Sequence, residues 1–141
     1  MTARARELGV VRVLVGVAVA VSVVHYADNT LNYAAYPQPS SGAAPSQLTV
    51  GLSWPAFTAV AVAAYLLLRR GRTLAAAFGL AVYSGSGLVG IGHYTVPGAT
   101  GMPWWRQAHI VADITCGVAL LACALWLTRR ARAPIREQPA R

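Results

Sequence analysis

Four long apolar stretches, separated by short polar connections, dominate the pattern of hydrophobic and polar positions along this chain. They cover residues 8–27, 48–68, 73–92 and 107–128. Each reaches the ~20 residues that a helix needs to cross a hydrocarbon core of ~30 Å. The pattern therefore predicts an all-α integral membrane protein, a single domain over residues 1–141 folded as a four-transmembrane-helix bundle.

The arginines predict the direction of these helices. All twelve Lys and Arg positions hold arginine, and all but Arg106 lie near the chain ends or in the turn between the second and third stretches. Because positive residues are retained on the cytoplasmic side, we expect a multi-pass protein of the cell membrane with cytoplasmic N- and C-termini. The cytoplasmic set is Arg4, Arg6, Arg12, Arg69, Arg70, Arg72, Arg129, Arg130, Arg132, Arg136 and Arg141.

Composition excludes two other classes of protein. Hydrophobic residues make up 56% of the chain and charged residues 11%, whereas roughly 25% is charged in soluble domains. A net charge of +8 would suggest nucleic acid binding in a soluble protein, but here the arginines form short clusters between apolar stretches. We therefore expect the bilayer and a lipophilic small molecule or lipid as partners, and no nucleic acid.

The first stretch resembles a secretory signal peptide, because three arginines lie at its start. Processing at Ala27 or Ala35 would place His25 or Tyr33 at a position that requires a small side chain. We therefore predict a membrane helix here.

The third stretch is unusually rich in small residues. Glycine lowers helix propensity, but it lets neighbouring backbones approach closely in a membrane. We expect this helix to lie centrally in the bundle. Its glycines are Gly79, Gly85, Gly87, Gly90 and Gly92.

Acids and histidines are distributed unevenly between the two ends of the predicted bundle. Glu7 and Glu137 lie among the cytoplasmic arginines, where ordinary surface charge explains them. The others lie at the outer ends of the apolar stretches, and ionisable groups within a membrane are costly and usually functional. They are His25, Asp28, His93, His109 and Asp113.

Helical spacing predicts that these side chains face one another. His109 and Asp113 are four positions apart and share a helix face, and His93 reaches a comparable depth from the third stretch. Four polar side chains at the end of the first stretch also share one face: His25, Asp28, Asn29 and Asn32. The spacing therefore predicts one polar pocket at the outer end.

Aromatic residues gather at the same end. Most are typical of an interfacial belt, but Tyr26 and Tyr94 each directly follow a histidine of the predicted pocket, and Trp54 lies near the outer end of the second stretch. The predicted substrate-binding residues are Tyr26, Asn29, Asn32, Tyr94 and Trp54.

The first functional hypothesis is acid/base catalysis on a lipophilic, isoprenoid-like substrate, by an isomerase or cyclase. A carboxyl group at the edge of the hydrocarbon can exchange a proton with a nearby imidazole. Aromatic walls also stabilise positive charge on a substrate. Isomerisation, cyclisation or hydration would suit such a site. The candidate catalytic residues are Asp113, Asp28, His25, His109 and His93.

Two alternatives stay open. A divalent metal bound by His25, His93 and His109 or a shallow haem fits the ligand types, although no compact motif such as H-E-x-x-H is present and no cofactor is the simpler expectation. In the second alternative, pairs of His25 with Asp113 and of His109 with Asp28 lock helix ends. Such a protein would assemble with a membrane-protein partner or as a homo-oligomer.

Overall fold

The computed structural model describes residues 2–39 and 44–133, and within them the chain forms helices and turns without a β-strand. The four long helices are α1 (Ala3–Leu31), α2 (Gln47–Arg69), α3 (Thr73–Leu88) and α4 (Trp104–Arg132). Short 3₁₀ helices lie at Tyr33–Ala35, Val89–Thr95 and Ala99–Gly101. Four segments are long and apolar enough to cross a membrane, as predicted: Arg4–Leu31, Gln47–Arg69, Thr73–Thr95 and Trp104–Arg132.

The predicted spans are correct in number but differ from the helices at several ends. α1 continues past residue 27 to Leu31, so Asp28 and Asn29 lie on one continuous helix with His25. The third span is α-helical only to Leu88 and continues as a 3₁₀ helix, where Gly90 and Gly92 weaken helix propensity. Three charged residues that the sequence assigns to the cytoplasmic side lie outside the described residues: Arg136, Glu137 and Arg141.

The arginine clusters meet at one end of the bundle. The Arg4 guanidinium donates a hydrogen bond of 3.0 Å to the carbonyl of Arg69 at the end of α2. A cation at this position is stabilised by the free carbonyl groups of the helix C-terminus. Glu7 of α1 pairs with Arg130 of α4 at 2.8 Å. Gly71, with φ of +82°, makes the turn from α2 to α3. The start of α1, this turn and the end of α4 therefore lie at the same end of the bundle.

The helices pack in a ring in which α1 and α3 each contact both α2 and α4. Of the four spans, the one that contains α3 has the largest fraction of buried residues. We expected α3 at the centre of the bundle, but it has two main neighbours, as each of the other helices does. Small residues bring it close to α4. A Cβ atom at Gly87 would overlap the backbone carbonyl of Asp113, and one at Gly117 would lie 2.8 Å from the carbonyl oxygen of Ser84. These glycines therefore allow the backbone contact that fixes the height of Asp113 on α4.

Candidate functional site

The five ionisable residues predicted for one end of the bundle do come together there. The His25 ring centroid lies 5.5 Å from that of His93 and 5.5 Å from that of His109. His25 contacts Asp113, and His109 contacts Asp28. Both predicted pairings are therefore present, and they form two neighbouring centres with different surroundings.

The first centre joins α1 to α4. Nδ1 of His25 lies 2.7 Å from Oδ2 of Asp113, and both side chains are only 3% exposed. Hydrogen bonding at this distance to a carboxylate requires the proton on Nδ1, so the tautomer is set by Asp113. Nε2 of His25 then becomes the atom that can gain or lose a proton. Asp113 orients it from the side buried against α3.

His25 also contacts His93 through its other ring nitrogen. The two Nε2 atoms are 3.4 Å apart, and a single hydrogen between them accounts for the contact, because two lone pairs or two N–H groups would repel each other. Nδ2 of Asn29 lies 3.2 Å from the same Nε2 of His93. A 180° flip of the Asn29 amide presents either a donor or an acceptor to His93. Asp113, His25 and His93 therefore form a chain along which one proton can change position.

The second centre, here called the Asp28 cluster, is built around the ion pair of Asp28 and Arg106. It consists of Asp28, Asn32, Tyr36, Arg106 and His109. Asp28 accepts hydrogen bonds from Nε of Arg106 at 2.8 Å, from the Tyr36 hydroxyl at 2.6 Å and from Nδ2 of Asn32 at 2.7 Å. Its side chain is 11% exposed. With its oxygens committed to these donors, Asp28 is poorly placed to exchange a proton with a ligand.

Arg106 contacts two aromatic rings and a backbone carbonyl in addition to Asp28. Its guanidinium carbon lies 4.7 Å from the centre of the Tyr36 ring and 4.9 Å from that of Trp105, at cation–π distance. It also donates to the carbonyl of Ala35, at 3.3 Å. Burial and then the hydrogen bond to Asp28 raise the pKa of Tyr36, so its hydroxyl stays protonated as a donor. This arrangement ties α1, the following loop and the start of α4 together.

Arg106 and Tyr36 belong to the Asp28 cluster, but the sequence analysis did not include them in the predicted site. Arg106 entered the sequence analysis only as the one arginine away from the cytoplasmic set, and Tyr36 only as part of the aromatic belt. The signal was available for Arg106: a lone cation at the end that holds Asp28 and Asp113 needs a carboxylate partner if it is buried.

Within the Asp28 cluster, His109 contacts Asp28 without forming a hydrogen bond. Its Nε2 lies 3.3 Å from Oδ2 of Asp28, but the two atoms do not form a hydrogen bond. Both ring nitrogens are buried and have no hydrogen-bond partner within residues 2–39 and 44–133. The predicted proximity of His109 to Asp28 is thus correct, and the predicted hydrogen bond is not formed.

A cavity of about 550 Å³ opens beside the first centre. We call it the outer cavity. Its walls come from α1, α2, α3, the 3₁₀ helix after α3 and the loop after α1, and the polar residues among them include His25, Asn29 and His93. Tyr36 also lines it, with its ring centre 5.1 Å from that of His93. The first centre therefore presents both of its imidazoles to the outer cavity, and the Asp28 cluster presents the Tyr36 side chain, whereas Asp113 supports His25 from behind.

The predicted substrate-binding residues divide between the outer cavity and other places. Tyr26 lines it and donates to the carbonyl of Ser86 at 3.0 Å, and Asn29 lines it beside His93. The other three described side chains are elsewhere: Asn32 is bound to Asp28, Trp54 donates to the Ser22 hydroxyl at 3.2 Å, and Tyr94 is 37% exposed. The sequence placed these residues at the correct end of the bundle, but it did not predict the direction in which each side chain points.

The placement does not favour the metal-binding alternative. Nε2 of His109 lies 3.3 Å from Oδ2 of Asp28, and Nε2 of His25 lies 3.4 Å from Nε2 of His93. In the described part of the chain, no group of three His, Cys, Asp or Glu side chains is arranged to hold a metal ion.

The site thus combines a carboxylate-oriented imidazole, a second imidazole in contact with it and a cavity that both of them line. Such a set can accept, hold and return a proton next to a bound molecule. Any function for it rests on the chemistry of its own residues: no protein-family model matches the chain, and neither the curated proteins nor the solved structures include a match.

Proposed function

We propose that this protein is a membrane enzyme that transfers protons to and from a lipophilic, isoprenoid-like substrate, in an isomerisation, cyclisation or hydration. The observation that carries the proposal is the Asp113–His25 pair, whose outward nitrogen reaches His93 where both histidines line the outer cavity. An imidazole oriented by a buried carboxylate is the arrangement that general acid/base catalysis needs.

The proposed chemistry uses Nε2 of His25 as the atom that exchanges the proton. Asp113 keeps Nδ1 protonated and stabilises the imidazolium that forms when Nε2 gains a proton. In an isomerisation, Nε2 gives its proton to one carbon of a double bond and the other carbon becomes a cation. The next carbon along the chain then returns a proton to the histidine pair, so that the double bond moves by one position. In a hydration, the carbon keeps the first proton and the attacking water returns one. Either way the site ends in its starting protonation state.

The walls of the outer cavity suit a substrate that becomes positively charged during the reaction. Tyr26, Tyr33 and Tyr36 all line it, and aromatic faces attract a cation by up to about 2 kcal/mol when water is excluded. The volume of about 550 Å³ lies within the range of roughly 300–1,000 Å³ that is usual for small-molecule sites.

For the Asp28 cluster, the locking role is the better proposal. Three side chains donate to Asp28, and they come from α1, the loop and α4. This second role supports the first, since a rigid outer end holds the histidine pair in place.

The proposed orientation puts both termini in the cytoplasm and the outer cavity towards the opposite leaflet of the cell membrane. It is supported by the meeting of Arg4, Arg69 and Arg130 at the end of the bundle away from His25. The positive-inside rule assigns that end to the cytoplasm.

The test is an untargeted search for the substrate. Protein in liposomes is incubated in D₂O with a lipid extract from the source cells, and lipophilic compounds are compared by mass spectrometry with those from liposomes carrying His25→Gln. Each proposed reaction leaves solvent deuterium on carbon, where washing does not remove it. We expect at least one compound to gain deuterium only with the wild type. If repeated extracts yield none, the proposed function is wrong.

A further inference from the structure

α2 and α3 touch near the middle of the bundle and separate towards its outer end. A Cβ atom at Gly79 would lie 2.8 Å from Cβ of Ala64, so the helices are in contact there. Farther out, Phe57 of α2 and Val82 of α3 both line the outer cavity. At Gly85, one turn beyond Val82, an added Cβ would meet no atom within 4 Å. The outer cavity therefore occupies a wedge between these two helices.

The wedge is apolar where it meets the outside of the bundle and polar where it meets α1. Val82 of α3 and Val89 of the following 3₁₀ helix line it and are 37% and 63% exposed, so they belong both to the cavity and to the outer surface of the bundle. His25 and Asn29 of α1, together with His93, line it as well. A ligand there would have its hydrocarbon between α2 and α3 and its polar group at the histidine pair.

The charge of the outer cavity restricts that polar group. Of its described lining residues, none is Arg, Lys, Asp or Glu. The two nearby acids are both paired, Asp113 with His25 and Asp28 with Arg106. A phosphate or carboxylate would therefore meet no unpaired cation, whereas a hydroxyl or carbonyl would find donors and acceptors on His93 and Asn29.

From this geometry we infer that the ligand of the outer cavity is a neutral, single-chain amphiphile, an alcohol or a ketone, that passes from the bilayer between α2 and α3. Taking this ligand to be the substrate rests on the proposed function. The binding mode itself stands on the wedge, the exposed valines and the absence of unpaired charge among the described lining residues.

Photolabelling tests the binding mode. The probe is a C15 isoprenoid alcohol that carries a diazirine on its chain, in liposomes with the full-length protein, and labelled residues are mapped by peptide mass spectrometry. We expect label near Phe57 and Val82. Gly85→Leu fills the wedge, since no atom opposes the new side chain, and should lower labelling by roughly tenfold or more. Gly16→Leu, which also has open space around it but lies on exposed α1 surface, is the matched control.

Two comparisons test the headgroup and the route. The diphosphate of the same C15 chain should label the wedge far less than the alcohol. Val82→Trp narrows the gap between α2 and α3 and should slow labelling, whereas Val111→Trp on the exposed surface of α4, which does not line the outer cavity, should leave its rate unchanged.

Three results would overturn the inference. They are label spread over the exposed residues of all four helices and unaffected by Gly85→Leu, equal labelling by the diphosphate, or a labelling rate that Val82→Trp does not slow. Failure of the proposed function looks different. Label in the wedge without deuterium transfer by the wild type removes the function and leaves this inference standing. Deuterium transfer without label in the wedge does the reverse.

Discussion

His25 on α1 and Asp113 on α4, 88 positions apart in the chain, meet through a hydrogen bond of 2.7 Å in which both side chains are almost fully buried. The bond places a charged or strongly polar pair inside an apolar bundle, where an unpaired partner would be costly. Its geometry turns Nε2 of His25 towards His93 beside the outer cavity. The same pair therefore contributes to the packing of α1 against α4 and to the proposed chemistry.

The close approach of α3 to α4 predicts opposite effects for two neighbouring glycines. Gly87→Ala would press a Cβ atom into the carbonyl of Asp113 and should cost about 1–3 kcal/mol, as overpacking does. Gly85→Ala meets open space and should stabilise the helix by roughly 0.5–1 kcal/mol. Unfolding in detergent measures both free energies. Equal effects would mean that the backbones are not in contact at Gly87.

The two ion pairs at opposite ends of the bundle should differ strongly in their effect on stability. Arg106→Gln leaves Asp28 buried without its cation, which should cost about 3–5 kcal/mol of unfolding free energy. Arg130→Gln breaks the pair with Glu7, but Arg130 is 48% exposed, so the loss should stay below about 1 kcal/mol. If both variants were equally stable, the Asp28 cluster would not lock the outer end.

The proposed orientation predicts the behaviour of reporter fusions. A fluorescent protein joined after Arg132 should fluoresce, and alkaline phosphatase joined there should be inactive, because the fusion point would be cytoplasmic. Fusions placed after Gly98, in the connection between α3 and α4, should show the reverse. Active phosphatase at the first position would invert the topology and turn the outer cavity towards the cytoplasm.

Much of the fold and part of the site could be predicted from the sequence. Apolar length is enough to define four spans, because the bilayer imposes a minimum on each helix. Spacing along α1 and α4 placed His25 near Asp113 and His109 near Asp28, since residues three and four apart share a helix face.

The remaining features depend on the direction in which each helix faces, which spacing alone does not determine. Arg106 could join Asp28 only because α1 continues to Leu31 and the loop brings Tyr36 back over it. Trp54 turned to Ser22 instead of the outer cavity because its indole N–H requires an acceptor in an apolar setting. The wedge between α2 and α3 likewise arises from packing at Gly79, far from the polar residues.

The most direct test of the central claim compares Asp113→Asn with Asp28→Asn in the deuterium-transfer assay, using the folded fraction of each variant. Asp113→Asn should lower the rate of transfer by roughly 10²–10⁴, because His25 loses the carboxylate that orients it and stabilises its charge. Asp28→Asn should be less stable but keep a rate close to that of the wild type, since Asp28 is committed to Arg106 and Tyr36. Loss of transfer in Asp28→Asn together with normal transfer in Asp113→Asn would contradict the account.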